Sequence, residues 1–395
     1  MKKLIAVLLV FVMLTGCSPI LSNTSEGVYN NTSKDVLSSG VWLSFSEISD
    51  LLSDETAFKT RFAQVIQNLQ SLYINDLYIH VRSHGDSIFK SEYFPINDTV
   101  LKYDYDVFEY MINECHRSNI RVHAWINPYR VNASSVDISG LSADSPVVKW
   151  LNDSDSENDS NVILYGGIYL NPAESEVRQL VLDGVREIIT KYDVDGIHFD
   201  DYFYPTTDVQ FDSASYDKYT SSAQSALSLA DWRRANVNSL ISGCYTAIKH
   251  IDKNVLFSIS PAASITNNYN ELYADVENWV ENGCVDYIIP QLYFGFEYPA
   301  EEFRFDVLLK DWKKLMECNT DVGLQIGLAT YKIATDAEPD CQEWSVNEDI
   351  IAKQTEVCLK DSRVEGVVFF SYSSLFSDNT PNTVQRKNLK EIYSQ

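Results

Sequence analysis

The 395-residue chain has no C-x-x-C pair, no G-x-G-x-x-G run and no G-x-x-x-x-G-K-[ST] run, and none of its six histidines forms a His-x-His pair. Without a glycine-rich turn to cradle a phosphate at a helix start, a nucleotide substrate drops out. Without paired cysteines or histidines, neither a zinc site nor a disulfide framework is expected. Basic residues are also scarce. Against 56 Asp and Glu stand 31 Lys and Arg, a formal net charge of −25, which argues against nucleic acid or an anionic bilayer surface as a direct partner. A long hydrophobic run is missing too, since the apolar stretch from Leu4 to Leu14 falls short of the ~20 residues a membrane helix needs. The six cysteines beyond Cys17 (115, 244, 284, 318, 341 and 358) lie mostly in helical patterns and are expected to be buried thiols.

The same apolar stretch carries an address. Lys2 and Lys3 precede it and Leu14-Thr15-Gly16-Cys17 ends it, which resembles a bacterial lipoprotein signal with its lipobox. The resemblance implies that residues 1–17 are a signal segment and that Cys17 carries lipid, holding the protein on the outer face of the membrane, in the cell envelope. Residues 18–39 are rich in Ser, Asn and Thr with few large apolar side chains and are expected to act as a flexible tether. Membrane contact is then through the anchor alone, and residues 40–395 form the working domain.

That domain alternates strongly. Short β-branched and aromatic runs recur at 40–45, 76–82, 121–127, 196–200, 255–260, 287–293, 323–328 and 366–371, with amphipathic helical patterns between them at 58–72, 105–117, 175–192, 232–250, 272–282, 306–317 and 349–359. Eight such repeats predict an α/β fold, a (β/α)8 TIM barrel whose active site lies at the carboxyl ends of the strands. From Val131 to Leu170 the chain is rich in Ser, Asp and Asn without helical period, and a long loop after the third strand is expected there to shape a cleft.

The most informative run is Asp195-Gly-Ile-His-Phe-Asp-Asp-Tyr-Phe-Tyr-Pro205, a strand ending in two carboxylates followed by three aromatics. An isolated Asp-Asp pair is more often a polar loop start, but this one ends a barrel strand. Cleaving a glycosidic bond calls for a carboxyl group that protonates the leaving oxygen and another that stabilises or attacks the oxocarbenium-like centre, so Asp200 and Asp201 are the catalytic candidates. Strand alternation points Asp200 into the barrel mouth and Asp201 to the other face. The other strand ends add uncharged donors and aromatic faces suited to sugar hydroxyls and rings. Candidate substrate-binding residues are His123, Trp125, Asn127, Tyr129, Arg130, His198, Tyr202, Tyr204, Gln291 and Tyr293, together with Arg82. A polysaccharide is the expected partner. Arg82 and Arg130 could fork onto a sugar carboxylate or form rim salt bridges. Trp42 and Trp125 fit barrel-floor packing better than sugar platforms. His80, His123 and His198 recur on consecutive strands at what reads as a matching depth, and neutral histidines bonded to Asp200, Asn127 or a sugar hydroxyl are preferred over a metal site. No metal and no cofactor is expected.

The chain is identified as resembling the glycosyl hydrolase-like 10 family through Gly40-Val-Trp42, Val81-Arg82, Asp86, His123-Ala-Trp-Ile-Asn-Pro-Tyr-Arg130, Asp193 to Pro205, Asp231-Trp-Arg-Arg-Ala-Asn-Val-Asn238, Ile259-Ser-Pro261, Asp286 to Tyr293 and the Phe-Phe-Ser of 369–371. The resemblance implies a (β/α)8 hydrolase-like enzyme at the envelope, with some relatives linked to peptidoglycan glycan strands stripped of peptides. One departure stands after the fifth strand, where Ala262-Ala-Ser264 replaces the Gly and aromatic residues usual in the family. Two mechanisms stay open. In one, Asp200 is a nucleophile, as the strand resembles that of amylase-like retaining enzymes, and Asp201 or the rim residue Glu297 is the acid. In the other, preferred slightly, the substrate's acetamido group attacks while Asp200 orients it and Asp201 protonates the leaving oxygen, resembling the acidic pairs of N-acetylhexosaminidases. Tyr202 stands where a chitinase D-x-D-x-E motif has its acid. Other readings are a lipid-anchored glycan-binding barrel without catalysis and a metal-dependent envelope deacetylase, the latter separable by chelation.

Overall fold

A computed structural model describes residues 38–335, 342–347 and 349–394. The expected signal, Cys17, nearly all of the tether and Cys341 lie outside the described residues. Eight parallel strands close into a barrel: β1 Ser38–Leu43, β2 Asp76–Arg82, β3 Arg121–Ile126, β4 Gly196–Phe199, β5 Leu256–Ile259, β6 Tyr287–Ile288, β7 Gly323–Ala329 and β8 Val364–Phe370. Strand β8 pairs back onto β1 and completes the ring. The fold is the predicted (β/α)8 barrel. Strand β1 begins at Ser38, so Ser38 and Ser39 belong to the barrel and not to the tether. Strand β6 is shorter than its apolar run, because Pro290 has no N–H to give the ladder. Beyond it, Gln291 touches Ala262 and Gly327 only through single bridges.

Helices cover the outside for the usual reason, one apolar face each. The helix Glu55–Ser71 is capped by Asp54, which accepts from the backbone of Thr56 and Ala57, and it buries Phe58, Phe62, Val65, Ile66 and Leu69. Each such side chain is worth ~1.5–3 kcal/mol when taken from water. The helix Thr380–Tyr393, which packs beside Ile350–Leu359, escapes the periodicity reading because two of the three residues it buries are Asn382 and Gln385.

Inward-facing side chains stack in layers set by strand register. Trp42, Tyr78, His123 and Gly196 share one level. His80, Trp125, His198 and Ser258 share the level above. Gly196 is required in the lower layer, since a Cβ there would stand 2.3 Å from His123 Nδ1. Below both layers Asp76 is buried and accepts from His123 (2.8 Å) and Arg121 (2.6 Å). Burial raises the Asp76 carboxyl pKa, but these two partners outweigh it and hold the group well below the usual range.

The excursion after β3 is not an open loop. Arg130–Asn132, Ile168–Leu170 and Val162–Leu164 form a small antiparallel sheet in that order, with the short helix Pro146–Asn152 between its first two segments in the chain. Cys115, Cys244 and Cys358 are buried as expected. Cys284 is half-buried and Cys318 exposed, because both fall in the turns that follow helices Val276–Glu281 and Phe305–Leu315.

Candidate active site

Asp200 leaves β4 at the mouth and is 3% exposed. Its carboxylate accepts from Trp125 Nε1 at 3.2 Å, from Asn127 Nδ2 at 3.3 and 3.4 Å, and from the Tyr202 backbone N–H at 3.2 Å. The donors come from β3 and from the turn after β4. Burial, and then the neighbouring Asp201 charge, push the Asp200 pKa up to about 7 against the pull of Arg130 and these hydrogen bonds. Asp201 is half-buried, and its pKa is also raised by burial, with Gln291 and Arg130 opposing. The chain turns out of the strand after Phe199, so alternation no longer applies and Asp201 faces Gln291, Arg130 and Tyr293 instead of the back of the sheet. A carboxyl group near neutrality beside a second raised carboxyl is an arrangement suited to general acid and charge-stabilising work.

Arg130 and Tyr202 frame the pair. The Arg130 guanidinium lies 4.4 Å above the Tyr202 ring and donates to the Ser83 carbonyl through Nε and Nη2, each at 3.3 Å. Tyr202 is 52% exposed, so one aromatic face stands open at the rim. Gln291 donates to the Ser260 carbonyl at 2.9 Å, and Tyr293 stacks on Phe370 on the other side of the mouth. The turn that carries the pair is anchored from behind. Arg233, fully buried, pairs with Asp212 and donates to the Asp208 carbonyl and the Tyr273 hydroxyl, which fits the scaffold role expected of the Trp232-Arg-Arg run.

The family model for glycosyl hydrolase-like 10 matches residues 38–345, a span that contains both aspartates and seven of the eight strands. The chain belongs to the glycosyl hydrolase-like 10 family. Among curated relatives of this glycoside hydrolase family, glycosyl hydrolase YngK of Bacillus subtilis is 30% identical over 364 residues, 85% of this chain and 67% of the relative. Glycosyl hydrolase DigH of Escherichia coli is 31% identical over 351 residues, 81% and 76% respectively. In fold, the glycosyl hydrolase-like 10 chain is similar to the PgaB (BpsB) glycoside hydrolase domain of Bordetella bronchiseptica, with a TM-score of 0.59 and 13% identity over 90% of this chain and 99% of that one. It is also similar to alpha-L-fucosidase isoenzyme 2 of Paenibacillus thiaminolyticus, with a TM-score of 0.56 and 12% identity over 91% and 49%.

Of the residues expected to line the site in this family member, the structure gathers Asp200, Asp201, Trp125, Asn127, Arg130, Tyr202, Gln291 and Tyr293 at the mouth. It places five others elsewhere. His123 lies a layer deeper than His80 and His198, so the three histidines are not at matching depth, and it is bonded to Asp76 at the floor. His198 is enclosed, accepting from Trp42 Nε1 at 3.0 Å and contacting Ser258 and Ser260 at 2.8 and 3.1 Å. Burial holds it neutral, but its partners are not Asp200 or Asn127. Arg82 is turned away by a register shift between His80 and Arg82 that pairs it with outward-facing Ile126. Its guanidinium covers the Phe94 ring at 4.1 Å, and burial lowers its pKa to about 9. Tyr129 and Tyr204 are each 1% exposed. Tyr204 packs on Phe211 and Tyr273 under the anchored turn. Trp42 is floor packing, as expected; Trp125 is buried in the same cluster but one layer higher, where its N–H reaches Asp200. Glu297 is exposed. Among the described residues no group of three or more His, Cys, Asp or Glu is arranged to hold a metal ion. His80, expected with the other two histidines to bond Asp200, Asn127 or a sugar hydroxyl, instead stacks on Trp125 with neither ring nitrogen partnered. Its inward position follows from the alternation Asp76-Tyr78-His80, which was the available signal.

Proposed function

We propose that this chain is a cell-envelope glycoside hydrolase acting on a bacterial polysaccharide built from N-acetylhexosamines, peptidoglycan glycan strands being the preferred substrate. The observation that carries the reading is the dry, donor-loaded Asp200 with its pKa near 7 directly beside Asp201 at the barrel mouth. Family membership supplies the class of chemistry. In this reading Asp200, held by Trp125, Asn127 and the Tyr202 N–H, orients the acetamido group of the sugar and stabilises the developing positive charge. Asp201, the more open of the two, protonates the departing oxygen. Tyr202 and Tyr293 offer faces for pyranose rings and Gln291 an amide for hydroxyls.

Incubating the protein with glycan strands stripped of peptides and analysing the products by mass is the test. Release of oligosaccharides by the parent and not by Asp200→Asn or Asp201→Asn supports the reading; near-normal activity in both variants overturns the assignment of the pair, and binding without release by the parent points to a glycan-binding barrel. Full activity after exhaustive chelation separates it from a metal-dependent deacetylase. The proposed anchoring rests on Leu14-Thr15-Gly16-Cys17: labelled fatty acid is expected to enter the parent and not Cys17→Ala, and an unlabelled parent refutes it.

A further inference from the structure

Beside the catalytic pair, between the ends of β1 and β2, the structure holds a recess of about 110 Å³ lined by Phe45, Ile48, His80, His84, Asp86 and Ile88 among others. It is one side chain away from Asp200. Trp125 reaches Asp200 through Nε1, while the same indole stacks on His80, ring centroids 3.6 Å apart and planes 9° from parallel. His80 is 3% exposed, yet neither of its ring nitrogens has a hydrogen-bond partner. Buried polar atoms are nearly always paired, so an imidazole with both nitrogens unpartnered beside a recess marks a place for a partner.

We propose that this recess binds the acetamido arm of the hexosamine unit adjoining the one whose acetamido group Asp200 orients, and that His80 is the residue that selects it. The inference rests on the reading of the mouth as a glycan site. A neutral imidazole offers one N–H and one lone pair on different edges of its ring, so a secondary amide seated in the recess meets one of them, through its carbonyl or through its N–H. Burial keeps His80 in that neutral form, with Arg130 and His84 adding to the effect. Phe45, Ile48 and Ile88 supply an apolar wall for the methyl group. With ~10–15 Å³ of such space enough for one water-sized group, the recess has room for the four heavy atoms of an acetamido arm. A carboxylate arm matches less well. The Asp86 carboxylate lines the recess, Arg82 is turned onto Phe94, and the Arg130 guanidinium is already engaged by the Ser83 carbonyl and the Tyr202 ring.

The test is equilibrium binding by calorimetry to the full chain in detergent, in an Asp200→Asn background that prevents turnover. The probes are a β-1,4-linked N-acetylglucosamine oligomer and the glucose oligomer of equal length, which has a hydroxyl where the first has the acetamido group. The background protein is expected to prefer the acetylated probe by about tenfold, as one hydrogen bond and a buried methyl imply. His80→Phe, which keeps the stack on Trp125, and His80→Ala should each bring that ratio close to one. A ratio near one before any change at His80 overturns the inference, as does a preference that survives both substitutions, which would locate acetamido selection elsewhere. Near-ultraviolet circular dichroism identifies a variant that has not folded, and the ratio before substitution is decisive without it. A chain that discriminates but never cleaves glycan fails as a hydrolase and keeps the recess; one that cleaves without discriminating does the reverse.

Discussion

Trp125→Phe isolates one of the forces on Asp200. The change removes the indole N–H that reaches the carboxylate at 3.2 Å and keeps a ring to stack on His80. That N–H favours the charged form and opposes the rise in pKa caused by burial and by Asp201. A hydrogen bond to a charged group is worth ~1.5–3 kcal/mol; at this length, with Asn127 and Tyr202 still donating, the lower end applies, which is about one pKa unit. Asp200 should therefore titrate near 8 in the variant instead of about 7. Its carboxylate is the working form under both mechanisms, so the acidic limb of kcat/KM against pH should move up by ~1 unit. The loss should be roughly tenfold at pH 6 and only about twofold at pH 8. The pair shares macroscopic pKa values, so the quantity to read is the displacement between parent and variant. A uniform loss across the profile, with the limb unmoved, refutes the account of Asp200.

Three further outcomes follow from the same carboxylates. Because the folded-state pKa of Asp200 lies at about 7, above the ordinary Asp value of 3.8, its burial costs stability progressively as pH rises from about 4 through 7, and Asp200→Asn should raise the unfolding free energy at pH 8 by a few kcal/mol but little at pH 4; denaturant titration at both values checks this, and an equal effect at both refutes it. Asp76 has the opposite sign, since its depressed pKa contributes stability above the ordinary carboxylate range that is lost as pH falls below it, and Asp76→Ala, which leaves buried His123 without its charged partner, should cost ~3–5 kcal/mol in the same measurement at pH 7. For the leaving group, Asp201→Asn should slow natural glycans by ~10²-fold or more while sparing activated aryl glycosides, because acid help matters most when the departing oxygen is basic; equal slowing of both substrates would transfer the acid role away from Asp201.

The strands were legible because each is a run of β-branched and aromatic residues bounded by polar turns, a signal that depends on a few neighbouring residues. The Asp200-Asp201 mouth was legible for the same reason, as the end of such a run. What could not be read depends on contacts distant in the chain. The turning of Arg82 away from the mouth comes from a register shift against β3, which nothing in Asp76–Arg82 encodes by itself. The burial of Tyr204 comes from Arg233, Phe211 and Tyr273 closing over it. His123 and His198 look alike on their strands, yet the layer each occupies is set by how far β3 and β4 are staggered. The strands of the excursion after β3 could not be read by period because each spans only three residues.

Tightly packed layers explain how such a site can persist. A carboxyl group raised to about 7 and 3% exposed works against folding, and so does an imidazole with two unpartnered nitrogens. Such groups survive only where the surroundings determine them more strongly than they resist. Beneath the mouth, His198 is held by three side chains and Trp42 packs against Tyr78 and Phe370. Behind it, Arg233, paired with Asp212, packs over the ring of Tyr204, three residues past Asp201. Trp125 connects the two unfavourable groups, donating to Asp200 with its edge and stacking on His80 with its face. The indole is therefore the element through which occupation of the recess would be felt at the carboxylate, since an arm that orders His80 also orders one of the donors to Asp200.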